Sequence, residues 1–379
     1  MSKNTSVSLF VPNLDGGGAE RVMMHLAEGF AKHGLKVDLV VAKAEGAYLS
    51  KIPKEVRLID LKSKSPVILF KTLALKRYLQ REQPTFLLST LDILSSATWG
   101  KILAGVPTKV VMCVQTNLSQ QFQDRHGKLM RKVKSYLVRL FYPWADKIVA
   151  ASKGVAEDVA QMANIPLQDM RVIYNPVVTS NFFERVEEPI AHPWFAPGEP
   201  PVLLGVGRIV KQKDFLTLVR AFALVRKHRQ VRLMILGDVD EREPLIKPQI
   251  EAMLRELGIE DEVAMPGFVE NPYAYMARAA VFVLSSIYEG FGNVVAEAVA
   301  AGTPVASTDC ESGPAEILGY GKYGKLAPVG DFEALADAIT QMLDHPTDSK
   351  ILKERGQEFS VDRVVEQYLE VLNSLTTQR

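Results

Sequence analysis

Two acidic and two basic side chains stand beside glycine-rich corners in the C-terminal half of this 379-residue sequence. Glu289 and Glu297 bracket the stretch EGFGNVVAE, while Arg208 and Lys213 lie within GRIVKQK. Carboxylates accept hydrogen bonds from hydroxyl groups, and an Arg fork with a Lys point charge binds phosphate oxygens. A nucleotide sugar, which has hydroxyls at both ends and a diphosphate between them, would use all four. The alternative is a solvated cationic loop and two ordinary glutamates, the second favoured by a helix dipole.

The apolar pattern predicts that each group lies at the junction of a strand and a helix. Val281–Leu284 is predicted as a strand and residues 285–292 as a corner. The helix after that corner runs to residue 301, where Gly302 and Pro304 end it. Val202–Val206 is a second predicted strand, followed by the cationic loop and a helix at residues 214–227. The free N–H groups at such helix starts bind anions.

A third corner, DGGGAE at residues 15–20, joins a predicted strand at 7–11 to a helix at 20–32, and a strand at 35–42 follows. This is a βαβ unit. Three glycines permit positive φ and close approach of a ligand to the main chain. The pattern is not the dinucleotide fingerprint GxGxxG, and a tight turn without a ligand is the alternative.

Strands alternate with helices through both halves, a pattern typical of parallel sheets covered on both faces. Further strands are predicted at residues 85–89, 109–113, 147–150, 231–236, 263–265 and 305–307. The chain is too long for one core. We expect two Rossmann-like doubly wound α/β domains, at residues 1–179 and 201–359, with a proline-rich linker at 180–200. The carboxyl ends of both sheets are expected to face one cleft.

The net charge of +1 hides a division between the two halves. Residues 1–179 carry 25 Lys and Arg against 14 Asp and Glu, whereas residues 180–379 carry 20 against 30. A positive half suits an anionic partner, but no aromatic-basic interleaving or recognition module indicates nucleic acid. No apolar run has the length of a signal core or a membrane span. Cys113 and Cys310 stand in strand-like contexts, which favours buried reduced thiols over a disulfide or a metal site.

A basic amphipathic helix is predicted at residues 125–141. Its apolar stripe consists of Leu129, Val133, Leu137, Leu140 and Phe141. Its cations, mostly elsewhere on the helix, are Lys128, Arg131, Lys132, Lys134 and Arg139. Such a helix suits a peripheral protein on an anionic lipid surface. The alternative is that the stripe faces the core and the cations are solvated.

Four motifs follow one another along nearly the whole chain: GGGAE, VGRIVKQKD, GFVENPYAYMARA and EGFGNVVAEAVAAGTPV. With this order and its Glu-x7-Glu spacing, the chain resembles glycosyltransferase family four, of the bacterial polysaccharide or lipid-linked oligosaccharide type. The resemblance implies the GT-B architecture, with the donor held mainly by the second domain. It implies metal-independent transfer with retention at the anomeric carbon. It also implies a last helix, at about 360–379, that packs on the first domain.

The resemblance also implies a donor site, position by position. Arg208 and Lys213 match the diphosphate ligands, Glu289 the ligand of the sugar hydroxyls and Glu297 that of the ribose. Arg208, Lys213 and Glu289 are therefore the expected catalytic residues. Main-chain groups are expected to bind the nucleobase at Phe268 and Val269, and the sugar and phosphates at Phe291, Gly292, Asn293 and Val294. Gly17 and Gly18 are expected to lie near the reaction centre from the other domain.

One position departs from the family pattern. Where many members carry a histidine after the strand at 109–113, this chain has Gln115-Thr116-Asn117. None of His25, His33 and His126 replaces that histidine by position, and we interpret all three as structural or surface residues. Gln115 and Asn117 are then candidate acceptor-side residues, together with the cations Lys128, Arg131, Lys132 and Lys134, which are acceptor or membrane candidates.

The resemblance implies a retaining hexosyltransferase. It would move a hexose or N-acetylhexosamine from a nucleotide sugar, expected to be a UDP-sugar, to a hydroxyl group of an acceptor. The expected acceptor is a lipid-linked molecule or an oligosaccharide in cell-surface glycan assembly. No other cofactor is expected. The first domain offers no obvious carboxylate nucleophile for double displacement. The resemblance favours same-face attack instead, in which the leaving diphosphate takes the proton of the acceptor. The expected location is the cytoplasm, on the inner face of the cytoplasmic membrane. The alternatives are a sugar-nucleotide epimerase and a non-catalytic nucleotide or polyanion binder.

Overall fold

The computed structural model describes residues 5–63, 68–92, 96–125 and 127–377. The chain divides into two compact units. The first comprises residues 1–177 together with 360–379, and the second comprises residues 178–359. The chain thus leaves the first unit once and returns to it at its C-terminal end.

The first unit is built on a seven-stranded parallel sheet with the order β3-β2-β1-β4-β5-β6-β7. Its strands are β1 Ser6–Val11, β2 Lys36–Val41, β3 Arg57–Asp60, β4 Phe86–Thr90, β5 Lys109–Val114, β6 Lys147–Ala150 and β7 Met170–Val172. Its helices are α1 Gly18–Lys32, α2 Ile68–Glu82, α3 Ser96–Ala104, α4 Leu118–Arg125, α5 Lys128–Phe141, α6 Lys153–Ala163 and α15 Val361–Thr377.

The second unit contains a six-stranded parallel sheet with the order β10-β9-β8-β11-β12-β13. Its strands are β8 Val202–Val206, β9 Arg232–Leu236, β10 Val263–Gly267, β11 Val281–Leu284, β12 Val305–Thr308 and β13 Lys325–Ala327. Its helices are α7 Phe182–Glu187, α8 Phe215–Arg226, α9 Ile246–Leu257, α10 Pro272–Arg278, α11 Asn293–Ala301, α12 Pro314–Ile317, α13 Phe332–Asp344 and α14 Ser349–Gly356.

The central strands are apolar because helices cover both faces of each sheet. β4 and β11 are buried at every residue, as expected of parallel strands inside an α/β layer. On one face of the first sheet, Leu9 and Leu39 belong to a core that also contains α1 and α15. On the other face, Phe10 and Val40 pack with residues of α2 and α6. The predicted α/β class with Rossmann-like domains is confirmed in both units.

The last helix, α15, closes one face of the first unit through a close helix contact. Gly29 of α1 leaves so little room that a Cβ there would lie 2.4 Å from Val365 Cγ2 and 3.0 Å from Val361 Cγ1. Tyr368 is buried in the same core and meets Phe30 edge-on, with ring centroids 6.3 Å apart. A bulkier residue at position 29 would therefore push α15 away.

Residues 180–200 are predicted as the linker between the domains. They belong to the second unit, where they include α7 and a short 3-10 helix at Pro193–Phe195. The Arg185 guanidinium lies 4.8 Å from the Tyr273 ring centroid, and Asn271 Nδ2 donates to the Arg185 carbonyl at 2.7 Å. The second unit consequently begins at residue 178, before the predicted linker.

Candidate active site

The loops after β8 and β11 carry the predicted catalytic residues of the second unit, and they meet at the carboxyl ends of these two strands. These strands are neighbours, and the order of the chain reverses between them. Ligands bind at such a switch point in doubly wound sheets, because the loops on either side diverge and leave a crevice. Hydrogen bonds join the loop after β8 to the loop after β11. Ile287 N–H donates to the Gln212 carbonyl at 2.8 Å, Gln212 Nε2 to the Tyr288 carbonyl at 2.8 Å, and Ser285 Oγ to the Lys213 carbonyl at 2.7 Å.

Within these loops, Lys213 and Glu289 form a direct ion pair. Lys213 Nζ lies 2.5 Å from Glu289 Oε1, and the two side chains are only 16% and 11% exposed. Ser286 Oγ donates to the same oxygen at 2.8 Å. Two of the predicted catalytic residues, 76 positions apart in sequence, are thus in contact. Both side chains are largely shielded from solvent.

Arg208 has a different partner, which the sequence analysis missed. Its Nη1 donates to Asp240 Oδ2 at 2.8 Å, and its side chain is 53% exposed, whereas that of Asp240 is 8% exposed. Asp240 also accepts from Arg242 Nε at 2.7 Å and Nη2 at 2.5 Å. Hydrogen bonds from Arg242, with the charge of Arg208 adding to them, hold the pKa of the Asp240 carboxyl well below its usual range. The Asp240 carboxylate is therefore ionised in the folded protein near neutral pH.

The N-terminus of α11 forms the third side of the site. Gly292 caps it in the left-handed region, at φ +89°, and the helix begins at Asn293. The N–H groups of the first turn, at Asn293 and Val294 among others, belong to the end of the helix that attracts anions, and the Val295 N–H donates to the Gly292 carbonyl at 2.8 Å. The Phe291 ring is buried, with its centroid 5.4 Å from that of Phe359, so that residue can offer a ligand only its main chain. Glu297 lies one turn inside α11 and is buried.

The main chain of the segment predicted to bind the nucleobase makes hydrogen bonds within the protein. The Phe268 N–H donates to Asp238 Oδ1 at 3.0 Å, and the Gly267 carbonyl accepts from the Gly237 N–H at 2.9 Å. The Phe268 side chain is exposed and Val269 is half-buried. The N–H predicted to meet a base thus has a carboxylate partner, and the aromatic ring is the exposed feature of this corner.

The glycine corner of the first unit precedes α1, as predicted. Gly16 has φ +102°, Gly17 caps the helix, and Gly18 is its first residue. The buried Glu20 folds back over this end. A Cβ on Gly17 would lie 2.2 Å from Glu20 Oε2. The helix start therefore carries a carboxylate of its own within the corner, which the glycine pattern alone did not reveal.

The segment that replaces the family histidine lies at the end of β5. Asn117 is buried and caps α4, since its Oδ1 accepts from the Gln120 N–H at 3.1 Å. Gln115 borders a cavity of about 20 Å³, enough for one water molecule. Within the described part of the chain, Gln115 Oε1 and Gln121 Oε1 are buried without a hydrogen-bond partner. Polar residues around this cavity are Ser89, Thr90, Asp92, Gln115, Thr116, Gln121 and Tyr142.

The side chains of His25 and His33 bond to main-chain carbonyls. His25 Nδ1 lies 2.8 Å from the Pro176 carbonyl oxygen, and His33 Nδ1 lies 2.9 Å from that of Gly29. His126 lies outside the described residues. Among the residues described, no group of three or more His, Cys, Asp and Glu side chains could hold a metal ion.

Most of the apolar stripe of α5 faces outward. Only Val138 and Phe141 of this helix are buried, whereas Leu129, at 78% exposure, Val133 and Leu140 are exposed. Lys128, Lys132 and Arg139 are exposed, and Arg131 and Lys134 are half-buried. The alternative in which the stripe packs into the core is therefore wrong for most of its length.

Two family models together match nearly the whole chain. Residues 16–181 match the model described as Glycosyltransferase Family 4, and residues 186–359 match that described as Glycosyl transferases group 1. Both matches fall on the units whose loops carry the motifs above. The fold and the site thus define a glycosyltransferase. The chain belongs to the family-four glycosyltransferases, and its structural neighbours are glycosyltransferases of the GT-B type.

Individual relatives agree with this assignment. The chain is 29% identical over 360 residues, 93% of each chain, to the N-acetylgalactosamine-N,N'-diacetylbacillosaminyl-diphospho-undecaprenol 4-alpha-N-acetylgalactosaminyltransferase of Campylobacter jejuni. It is 28% identical over 366 residues, 94% of this chain and 96% of the other, to the lipopolysaccharide core biosynthesis glycosyltransferase LpsE of Rhizobium meliloti. The structure of Anabaena HepE in complex with UDP-glucose matches with a TM-score of 0.80 and 20% identity, covering 98% of this chain and all of the other.

Proposed function

We propose that this glycosyltransferase moves a hexose or N-acetylhexosamine from a UDP-sugar to a hydroxyl of a lipid-linked or oligosaccharide acceptor, with retention and without a metal ion. The observation that carries the proposal is the Lys213–Glu289 contact at the β8–β11 switch point. This contact supports the proposal because a cation suited to a diphosphate lies beside a carboxylate suited to sugar hydroxyls. The relatives named above include enzymes of lipid-linked and lipopolysaccharide glycan assembly, and HepE binds UDP-glucose.

In the proposed reaction, the bond between the anomeric carbon and the diphosphate oxygen breaks while the acceptor oxygen bonds to the same face of that carbon. The acceptor proton passes to the departing diphosphate. Lys213, Arg208 and the first-turn N–H groups of α11 would offset the charge that develops on the leaving group, which is the largest contribution that such a site can make. Glu289 would orient the sugar, and Glu297 the ribose.

A donor panel tests the proposal first. UDP-glucose, UDP-galactose, UDP-N-acetylglucosamine and UDP-N-acetylgalactosamine are screened by thermal shift and then by UDP release, with and without EDTA. The anomeric configuration of the product is read by NMR. An inverted product, or activity abolished by EDTA, would contradict the retaining, metal-independent mechanism.

Replacing Arg208 tests the role of the cations. Arg208→Ala should reduce turnover on the order of 10²-fold, by analogy with the loss of one preorganised donor, and change donor binding less. Arg229→Ala is a matched control, because Arg229 pairs with Asp344 at 2.6 Å elsewhere in the same unit. Turnover that is equal in both variants would remove Arg208 from the mechanism.

We further propose that α5 rests on the anionic inner face of the cytoplasmic membrane, where a lipid-linked acceptor would be presented. α5 carries five cations, no acidic residue and an exposed apolar stripe, which suits the boundary between headgroups and acyl chains. None of the described helices combines the length and apolarity needed to cross a membrane.

Exposed apolar side chains continue beyond α5. The Trp99 ring of α3 lies 4.9 Å from Phe141 and 5.5 Å from the exposed Trp144, measured between centroids. Ile102 and Leu103, one turn after Trp99, are also exposed. A Trp beside aliphatic side chains is typical of membrane interfaces. The surface proposed to meet lipid therefore comprises α5, the end of α3 and Trp144.

Liposome sedimentation tests this surface. The protein should pellet with vesicles containing phosphatidylglycerol at low salt and less at high salt, because screening weakens the attraction. Replacing Leu129 and Val133 together by Ser should reduce pelleting, whereas Ile351→Ser, at an exposed site in the second unit, should not. Equal binding to neutral and anionic vesicles would refute an electrostatic role for α5.

A further inference from the structure

The segment after β9, residues 237–243, bonds to three separate parts of the proposed donor site. Asp238 Oδ1 accepts from the Phe268 N–H at 3.0 Å, at the corner after β10. Glu243 Oε2 accepts from the Lys211 N–H at 2.7 Å, in the cationic turn after β8. Asp240 bonds to Arg208, as described above. One loop therefore fixes the nucleobase corner, the cationic turn and the Arg208 side chain together.

The Asp240 contact differs from the other two because it engages a side chain of the site. Arg208 is the more exposed partner, and its Nη1 donates to Asp240 Oδ2 at 2.8 Å. A long, exposed Arg side chain otherwise samples many rotamers, and fixing it on a ligand costs conformational entropy. A guanidinium held at one edge still presents its other donors, since its five N–H groups form a rigid planar fork.

A carboxylate beside a diphosphate would normally repel it. Here Asp240 accepts bonds from Arg242 through Nε, Nη2 and the main-chain N–H, at 2.7, 2.5 and 3.0 Å, in addition to the bond from Arg208. Two guanidinium groups surround one carboxylate, so the cluster keeps a net positive charge. The charge of the Asp240 carboxylate is therefore offset by Arg242 while it orients Arg208.

We propose that Asp240 is a positioning residue for sugar transfer, which holds one edge of Arg208 so that the remaining donors are aimed at the leaving diphosphate. The inference rests on the proposed function of Arg208. In this proposal Asp240 contacts neither substrate nor product. Its effect passes through Arg208, and it should be seen in turnover more than in donor binding, because Arg208 acts on charge that develops in the transition state.

A double-mutant cycle tests the inference with the UDP-sugar that the donor panel identifies. Asp240→Ala should lower kcat on the order of 10-fold to 10²-fold, as expected when a catalytic group is misplaced. In the Arg208→Ala background, the same change should alter kcat less than about twofold, because coupled residues are not additive. Asp344→Ala is the control, since it removes a comparable Arg–Asp pair from the same unit.

Asp240→Asn keeps the shape of the side chain and guards against misfolding. It should bind UDP within about threefold of the original protein in calorimetry while kcat falls, in keeping with loss of transition-state stabilisation. Additive losses in the cycle, or an unchanged kcat in Asp240→Ala while Arg208→Ala is impaired, would overturn the positioning role alone. An unimpaired Arg208→Ala would remove Arg208 from the mechanism and overturn the inference with it.

Discussion

Removing Lys213 should destabilise the second unit strongly, even in the absence of any substrate. Lys213→Met preserves the length of the side chain but removes its charge. The Glu289 carboxylate, 11% exposed, then keeps the hydrogen bond from Ser286 Oγ but loses its ion pair. Breaking a buried ion pair costs about 3–5 kcal/mol when one charge remains. Because Ser286 still donates and both side chains reach solvent to some extent, we expect about 2–4 kcal/mol.

The melting temperature of the second unit should reflect this loss. A unit of this length, residues 178–359, loses about 2–4 °C per kcal/mol, so the shift should be on the order of 10 °C. Differential scanning calorimetry without ligand would measure it. Replacing both partners, as Lys213→Met with Glu289→Leu, should restore most of the stability, because no unpaired charge stays buried.

A more exposed ion pair provides the matched control. Arg226 contacts Glu262, and the two side chains are 36% and 29% exposed. Such surface pairs contribute roughly 0–1 kcal/mol, so Arg226→Met should change the unfolding temperature little. If Lys213→Met were as mild as Arg226→Met, or if the double variant were no more stable than Lys213→Met, the electrostatic reasoning about the site would be wrong.

Three further outcomes are expected. Gly29→Ala should destabilise the first unit by about 1–3 kcal/mol in thermal unfolding, because the added Cβ overpacks against Val365 of α15. Gly313→Ala and Gly330→Ala both strain a left-handed backbone, at φ +96° and +77°. At position 313 the added Cβ would also lie 2.0 Å from the Phe291 carbonyl oxygen, in the corner before α11, whereas at position 330 it would meet nothing within 4 Å. UDP affinity should therefore fall in Gly313→Ala alone. Cys113 should resist iodoacetamide in the native protein at pH 8, as read by mass spectrometry, because burial raises its pKa to about 12 and alkylation needs the thiolate.

The main strands and the corners between them could be predicted from the sequence because their signals are local. Val202–Val206 and Val281–Leu284 are found with the predicted bounds, and α11 begins at Asn293 and ends before Gly302. Apolar runs flanked by glycine-rich corners carry this information within a few residues. The short strands β3, β7 and β13 were missed, since three or four residues with polar or exposed members show no clear period.

Pairing within the site could be predicted only in part. The sequence placed Arg208, Lys213 and Glu289 in ligand-side loops, but not which cation meets which carboxylate. Asp240 lies in DVDER, directly after a predicted strand, and an acidic run at a strand's carboxyl end was the signal that could have identified it. The sequence also left open whether the α5 stripe faces solvent.

The sequence by itself therefore determined the α/β class, the position of each glycine corner and the residue types that a nucleotide sugar would need. Tertiary structure alone decided that Lys213 contacts Glu289, that Arg208 contacts Asp240 and that Leu129 is exposed. The reason is that backbone periodicity is fixed by near neighbours in the chain, whereas side-chain partners depend on strand order. Only when β8 lies between β9 and β11 do loops that are distant in sequence come within hydrogen-bonding range.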